Sequence, residues 1–83
     1  MNIVPLIPMA NQIGQFFETL SNREQGLREI ADHIQKFWDP RMRRSLLDFV
    51  EQHPNGKSED GELTAIVLQA VLTHRQQLEP RQQ

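Results

Sequence analysis

The residues Ile30–Arg44, which read IADHIQKFWDPRMRR, decide the fold of this 83-residue chain because one helix ends and another begins inside them. Proline drives the residue before it out of the α region, and Asp is a favoured N-cap in that extended conformation. Pro40 then occupies the first helical position, where the missing N–H costs nothing. The sequence therefore predicts a helix corner at Asp39-Pro40, with almost no linker between the two helices.

Aromatic side chains precede this corner and basic side chains follow it. Phe37 and Trp38 close the first helix, and Arg41, Arg43 and Arg44 open the second. Because the corner is short, we expect these five side chains to lie in one neighbourhood. The combination is typical of a recognition surface, and it contains no nucleophile or cofactor-binding loop.

Apolar residues at helical spacing predict an all-α domain of three to four short helices. We expect helices at about residues 8–20, 22–38, 40–52 and 62–77. A Ser-x-x-Glu capping box at Ser21 opens the second, and Ser58 or Asp60 is expected to cap the fourth. Because the fourth segment is rich in β-branched residues, a strand is a minor alternative there. Residues 53–61 are rich in turn-forming residues and are predicted to form a linker.

The predicted domain has an extension at either end. Residues 1–8 form an N-terminal extension, residues 9–77 the helical domain and residues 78–83 a disordered tail. Each helix is expected to bury one apolar stripe, and Gly14 with Ala10 is expected to let a neighbouring backbone approach the first helix closely. The predicted stripes are Met9, Ile13, Phe16, Phe17 and Leu20; Leu27, Ile30, Ala31, Ile34, Phe37 and Trp38; Met42, Leu46, Phe49 and Val50; and Leu63, Ile66, Val67, Ala70 and Val71.

Composition excludes several classes of function. The chain has no cysteine, so it has neither disulfides nor thiolate ligands. Its three histidines lack the spacing of a zinc site and are interpreted as ordinary surface or boundary residues. No apolar run approaches the roughly 20 residues that span a bilayer, and the N-terminal segment lacks the basic region of a secretory signal. We therefore predict a cytoplasmic, soluble, non-catalytic protein that binds neither metal nor membrane.

The basic cluster, which consists of Lys36, Arg41, Arg43 and Arg44, leaves three interpretations open. The arginines can contact an acidic surface on a protein partner, or the phosphates of a nucleic acid, or they can form an ordinary solvated helix face on which Arg44 pairs with Asp48. The net charge of −2 argues against nucleic acid. The adjacent aromatic pairs favour a protein partner, because neighbours on a helix cannot both point into one core.

Two motifs resemble a known family. The patterns MANQI-x-x-FF in residues 9–17 and IA-x-H-x-x-KFWDPRMR in residues 30–43 are similar to those of the delta subunit of the soluble, NAD-dependent, molybdenum-containing formate dehydrogenase. The resemblance implies a small cytoplasmic accessory subunit. In that family the alpha subunit carries bis-molybdopterin guanine dinucleotide and iron–sulfur clusters, and the beta and gamma subunits handle FMN, further clusters and NAD. No cofactor is expected in this chain.

The resulting hypothesis is a chain that docks on the alpha subunit and supports assembly, stability or cofactor maturation of the complex. An alternative is a transient maturation factor for the cofactor-free alpha subunit, and another is a small nucleic-acid-binding regulator. In the main hypothesis the aromatic surface is buried against the partner, with arginines at its rim. The candidate interface residues are Asn11, Gln12, Phe16, Phe17, Phe37, Trp38, Arg41, Arg43 and Arg44.

Overall fold

The helix corner is present as predicted. In the computed structural model Asp39 has an extended backbone (φ −69°, ψ 168°), and its Oδ1 accepts a 3.0 Å hydrogen bond from the backbone N–H of Met42. Pro40 is the first residue of the next helix. Trp38 is also extended (φ −94°, ψ 129°), so the preceding helix ends at Phe37.

The structure describes residues 1–81, and most of them are helical. The helices are α1 (Leu6–Phe17), α2 (Arg23–Phe37), α3 (Pro40–Gln52), α4 (Ala65–Thr73) and α5 (Arg75–Leu78). Two strands, β1 (Lys57–Ser58) and β2 (Gly61–Glu62), pair antiparallel as a short hairpin. The predicted all-α class is confirmed, with a small hairpin added inside the predicted linker.

Helix α4 is the central element of the domain and packs against all four other helices. Its residues Ile66, Val67, Ala70 and Val71 are each at most 2% exposed, so the predicted apolar stripe is confirmed. The minor alternative of a strand is wrong here, because packing on several sides outweighs the small helix penalty of β-branched side chains.

The ends of two helices differ from the prediction. Asn22, one residue after the predicted Ser21, caps α2 by accepting a 3.1 Å hydrogen bond from the N–H of Gln25. Helix α4 begins only after Thr64, because the hairpin occupies the residues before it. Ser58 belongs to this hairpin, and its Oγ accepts a hydrogen bond from the Asp60 N–H inside the turn. The predicted helix to residue 77 is divided at His74 into α4 and α5.

Helix α1 buries a different side from the one predicted. Periodicity alone could not identify this side, because α1 carries apolar residues on more than one side and no charge to mark the outer one. In the predicted stripe, Ile13 and Phe17 are half-buried, whereas Met9, Phe16 and Leu20 are 41%, 70% and 37% exposed. The buried residues are Leu6, Ile7, Ala10 and Gly14.

Helix α1 begins within residues 1–8, the predicted N-terminal extension. Helix α1 begins at Leu6, and both Leu6 and Ile7 lie in the core. Pro8 is compatible with this start because it occupies the first turn, where the backbone N–H groups have no partner within the helix. Pro8 therefore lies inside the first turn of α1, and the helix starts earlier than the predicted boundary at Pro8.

Helix α1 is closely approached at Gly14, as predicted, although by side chains of α4 and not by a backbone. A Cβ on Gly14 would overlap Val67 Cγ2 and would stand 3.2 Å from Ile66 Cγ2. Val67 is completely buried. Helices α1 and α4 therefore pack at a distance that only glycine permits at this position.

Helix α5 extends to Leu78, the first residue of the predicted tail, and this residue packs into the core. Leu78 is 1% exposed, and its carbonyl oxygen accepts a 3.4 Å hydrogen bond from Arg43 Nη1. The carboxylate of Glu79 lies 2.9 Å from Arg44 Nη2. Residues 82–83 of the predicted tail lie outside the described residues. Within residues 1–81 no helix has the length and hydrophobicity that crossing a bilayer requires.

Replacement of Gly14 by Ala is expected to destabilise the domain, although Ala is the better helix former by about 1 kcal/mol. The new methyl group overpacks the contact with Val67, which typically costs about 1–3 kcal/mol. Chemical unfolding followed by far-UV circular dichroism measures the change. In a Val67→Ala background the same substitution should cost less, and an equal cost in both backgrounds would contradict the proposed contact.

Acidification is expected to loosen the C-terminal segment. The hydrogen bond from Arg44 lowers the pKa of Glu79 below its usual value. At low pH the Glu79 carboxylate therefore binds a proton more readily when the segment is detached than when it is packed on the domain. The ion pair therefore contributes at neutral pH and is lost as the pH falls through the lowered pKa. NMR shifts of the Leu78 amide should report this transition, and the Glu79→Gln variant should lack it.

Candidate functional site

Aromatic rings from α1 and α2 form a row on the surface. The ring centroids of Phe16 and Phe17 are 5.0 Å apart at an interplanar angle of 88°, those of Phe17 and His33 are 6.3 Å apart, and those of His33 and Phe37 are 4.7 Å apart. We call these four residues the aromatic row. Phe16 and Phe37 are each 70% exposed, so the row presents two large apolar side chains to solvent.

A shallow groove of about 440 Å³ lies beside the aromatic row, between α1 and the corner of α2 and α3. The predicted interface residues Gln12, Phe37 and Trp38 belong to it. Sequence reasoning missed the other members, although His33 lies one helical turn from Phe37 and could have been found by that spacing. The groove is lined by Met9, Gln12, Ile13, His33, Phe37, Trp38 and Met42.

The two adjacent aromatic pairs divide between core and surface, as predicted. Trp38 is 5% exposed and belongs to the hydrophobic core, whereas Phe37 points outward. In the other pair Phe17 is half-buried and Phe16 is exposed. The geometric cause is that neighbouring helical residues project about 100° apart. Trp38 therefore forms the buried base of the groove, and Phe37 exposes apolar surface to solvent.

Asn11 is not among the lining residues of the groove, and its side chain forms hydrogen bonds within the fold. Its Nδ2 donates a 2.8 Å hydrogen bond to the carbonyl oxygen of Glu62, and its Oδ1 accepts a 2.9 Å hydrogen bond from the N–H of Thr64. These bonds tie α1 to the residues that precede α4. Gln12, the next residue, is exposed and lines the groove.

Arg43 and Arg44 bond to residues outside the groove. Arg44 pairs with Glu79 at 2.9 Å and with Asp48 at 3.8 Å, and the second pair is the one that the spacing predicted. Arg43 donates to the Leu78 carbonyl oxygen, and its Nε is buried without a hydrogen-bond partner. Both side chains are therefore used to hold the C-terminal segment.

Arg41 is exposed, and it does not line the groove either. It borders a separate cavity of about 320 Å³ with Arg44, Pro80 and the N-terminal residue Met1. The groove consequently has no arginine among its lining residues. The assignment of Arg41, Arg43 and Arg44 to a basic rim around the aromatic surface stays a prediction.

The histidines occupy separate places in the fold. His33 belongs to the aromatic row, and the ring of His53 lies 5.1 Å from that of Phe49. Among residues 1–81 no group of three or more His, Cys, Asp or Glu side chains is arranged to hold a metal ion. The groove offers apolar contact surface together with one amide and one imidazole, which suits the binding of another molecule.

One family matches the chain over residues 5–71, and it is described as the NADH-dependent formate dehydrogenase delta subunit FdsD. The matched segment contains the aromatic row and every residue of the groove, and it ends within α4. No curated protein and no solved structure matches the chain.

Alanine substitutions at Trp38 and Phe37 are expected to have very different effects on stability. Trp38→Ala removes a buried indole, which typically costs about 3–5 kcal/mol. Phe37→Ala removes a largely solvated ring and should change the free energy of unfolding by no more than about 0.5 kcal/mol. Urea unfolding of both variants provides the measurement, and similar losses would contradict the assignment of one ring to the core and the other to the surface.

Proposed function

Because the chain belongs to the family of NADH-dependent formate dehydrogenase delta subunits, we propose that it is a non-catalytic accessory subunit that docks on the alpha subunit and stabilises the complex. The observation that carries the docking role is the exposure of Phe16 and Phe37 beside an apolar groove. Monomeric proteins rarely leave contiguous apolar surface of this kind uncovered. Phenylalanine and methionine are also enriched at the centres of interfaces.

The non-catalytic role is supported by the chemistry of the described residues. The chain has no cysteine, and residues 1–81 offer no cluster of metal ligands. Iron–sulfur clusters are held mainly by cysteine thiolates. We therefore assign the iron–sulfur clusters to the other subunits, and we assign the molybdenum and flavin centres and formate oxidation with NAD⁺ to them as the family resemblance implies.

Docking through the exposed rings contributes binding free energy without requiring any rearrangement of the core. Complete burial of one phenylalanine side chain contributes about 1.5–3 kcal/mol. The rings sit on α1 and α2, which are fixed by core residues such as Ile30 and Ile34, each with no exposed surface. The side chains of the row also touch one another, so little additional ordering is needed on binding.

Retention of the chain in the active enzyme tests this function. We expect an affinity-tagged chain to co-purify with formate dehydrogenase activity in a stoichiometric ratio to the alpha subunit. The double variant Phe16→Ser/Phe37→Ser should fold normally and lose the complex, because it removes exposed apolar surface. Leu72→Ser is the matched control, since Leu72 is 49% exposed on α4 and does not line the groove.

Two results would contradict the accessory-subunit role. Absence of the wild-type chain from every formate dehydrogenase fraction would exclude association with the complex. Recovery of the chain only with cofactor-free alpha subunit, and never with active enzyme, would instead identify a transient maturation factor.

A further inference from the structure

Helix α1 presents an outward side that carries no charge. No residue from 1 to 17 has an ionisable side chain, although Met9, Gln12 and Phe16 are exposed. A helix that packs one side against a core normally has charged and polar residues on the other. Depletion of charge together with exposed Met and Phe is instead the composition of an interface centre.

We propose that the groove binds an amphipathic helix of the partner subunit whose contacting side chains are uncharged. This inference rests on the proposed function, because it assumes that the chain docks on a larger subunit, and it adds the secondary structure and the chemistry of the segment that is bound. The apolar side of that helix lies along α1 and against Phe37.

The backbone of the groove favours a helix over an extended segment. The walls are formed by α1, α2 and the first turn of α3, whose backbone groups are largely paired within their own helices or caps. Gln12 and His33 are the polar side chains among the lining residues. An extended segment buried here would leave many N–H and C=O groups unpaired, whereas a helix satisfies its own.

The absence of charge also restricts the partner. The lining residues include no Asp, Glu, Lys or Arg, and His33 is the one titratable side chain among them. A carboxylate or an ammonium group that becomes buried against α1 would therefore find no permanent counter-charge, and burial of an unpaired charge is strongly unfavourable. Arg44 cannot compensate, because it faces Glu79 and a different cavity. The contacting side chains of the bound helix are therefore apolar or neutral and polar.

The lining indicates which side chain enters the groove. Met9 and Met42 are flexible, and Trp38 gives a fixed base because it is held in the core. Methionine is unbranched and adapts its shape to the group that it contacts. A leucine, isoleucine or methionine of the partner helix fits this setting, with the ring of Phe37 packed beside it.

Charge variants of Gln12 test the neutrality of the partner. Gln12→Glu and Gln12→Lys keep a residue of good helix propensity at an exposed position, so the fold should be retained. Each variant should weaken the affinity for formate dehydrogenase complex prepared without this chain by roughly tenfold or more, because each places an unpaired charge in the contact. The affinity is measured by biolayer interferometry on the full chain.

Gln52→Glu and Gln52→Lys are matched controls, since Gln52 is exposed on α3 and outside the groove. They should leave the affinity within about twofold of the wild-type value. Far-UV circular dichroism of all four variants verifies the helical content.

The possible outcomes separate the inference from the function on which it rests. If one Gln12 variant binds more tightly while the other binds more weakly, the partner surface is charged and the inference is overturned. If neither variant affects binding although the wild-type chain binds, the groove is not the contact and the inference is again overturned. If the Gln12 variants alter only self-association in sedimentation, the occupant is a second copy of the chain. Failure of the wild-type chain to bind overturns the proposed function itself.

Discussion

The close contact between α1 and α4 at Gly14 is the constraint on which the rest of the structure depends. Because a Cβ at this position would overlap Val67, only glycine lets the central helix pack so near. The contact selects the side of α1 that is buried, and Ala10, one turn earlier, is also buried. The remaining apolar residues of α1, Met9 and Phe16, are thereby left on the outside.

The Asp39-Pro40 corner completes the surface that this contact creates. Because Trp38 is extended and packs into the core, the chain turns immediately after Phe37 and brings Met42 to the edge of the groove. Three helices thus contribute to one apolar depression without any buried charge among its lining residues. The same residues that stabilise the domain from inside position the exposed ring that we propose for docking.

Charge and apolar surface are separated in this fold. The arginines that follow the corner hold the C-terminal segment through Glu79 and the carbonyl group of Leu78, and this bonding raises the pKa of Arg44 while it lowers that of Glu79. Such exposed pairs contribute modestly to stability and are weakened by salt. The groove has no Asp, Glu, Lys or Arg among its lining residues, so we expect the docking that we propose to depend on shape and apolar burial.

The sequence by itself determined the corner, the helical class and the stripes of α2 and α4, because these depend on local rules: proline geometry, an Asp cap and apolar periodicity. Phe37 is the exception, since it was placed in the α2 stripe and is 70% exposed. Only the tertiary structure decided which side of α1 is buried and where the arginines point. Helix α1 has no charge to mark its outer side, and its orientation follows from the fit of Gly14 against Val67, which is distant in sequence. Arg44 pairs with Glu79 and Arg43 donates to the Leu78 carbonyl group, and both partners are distant in sequence and come within reach only once the chain has folded back.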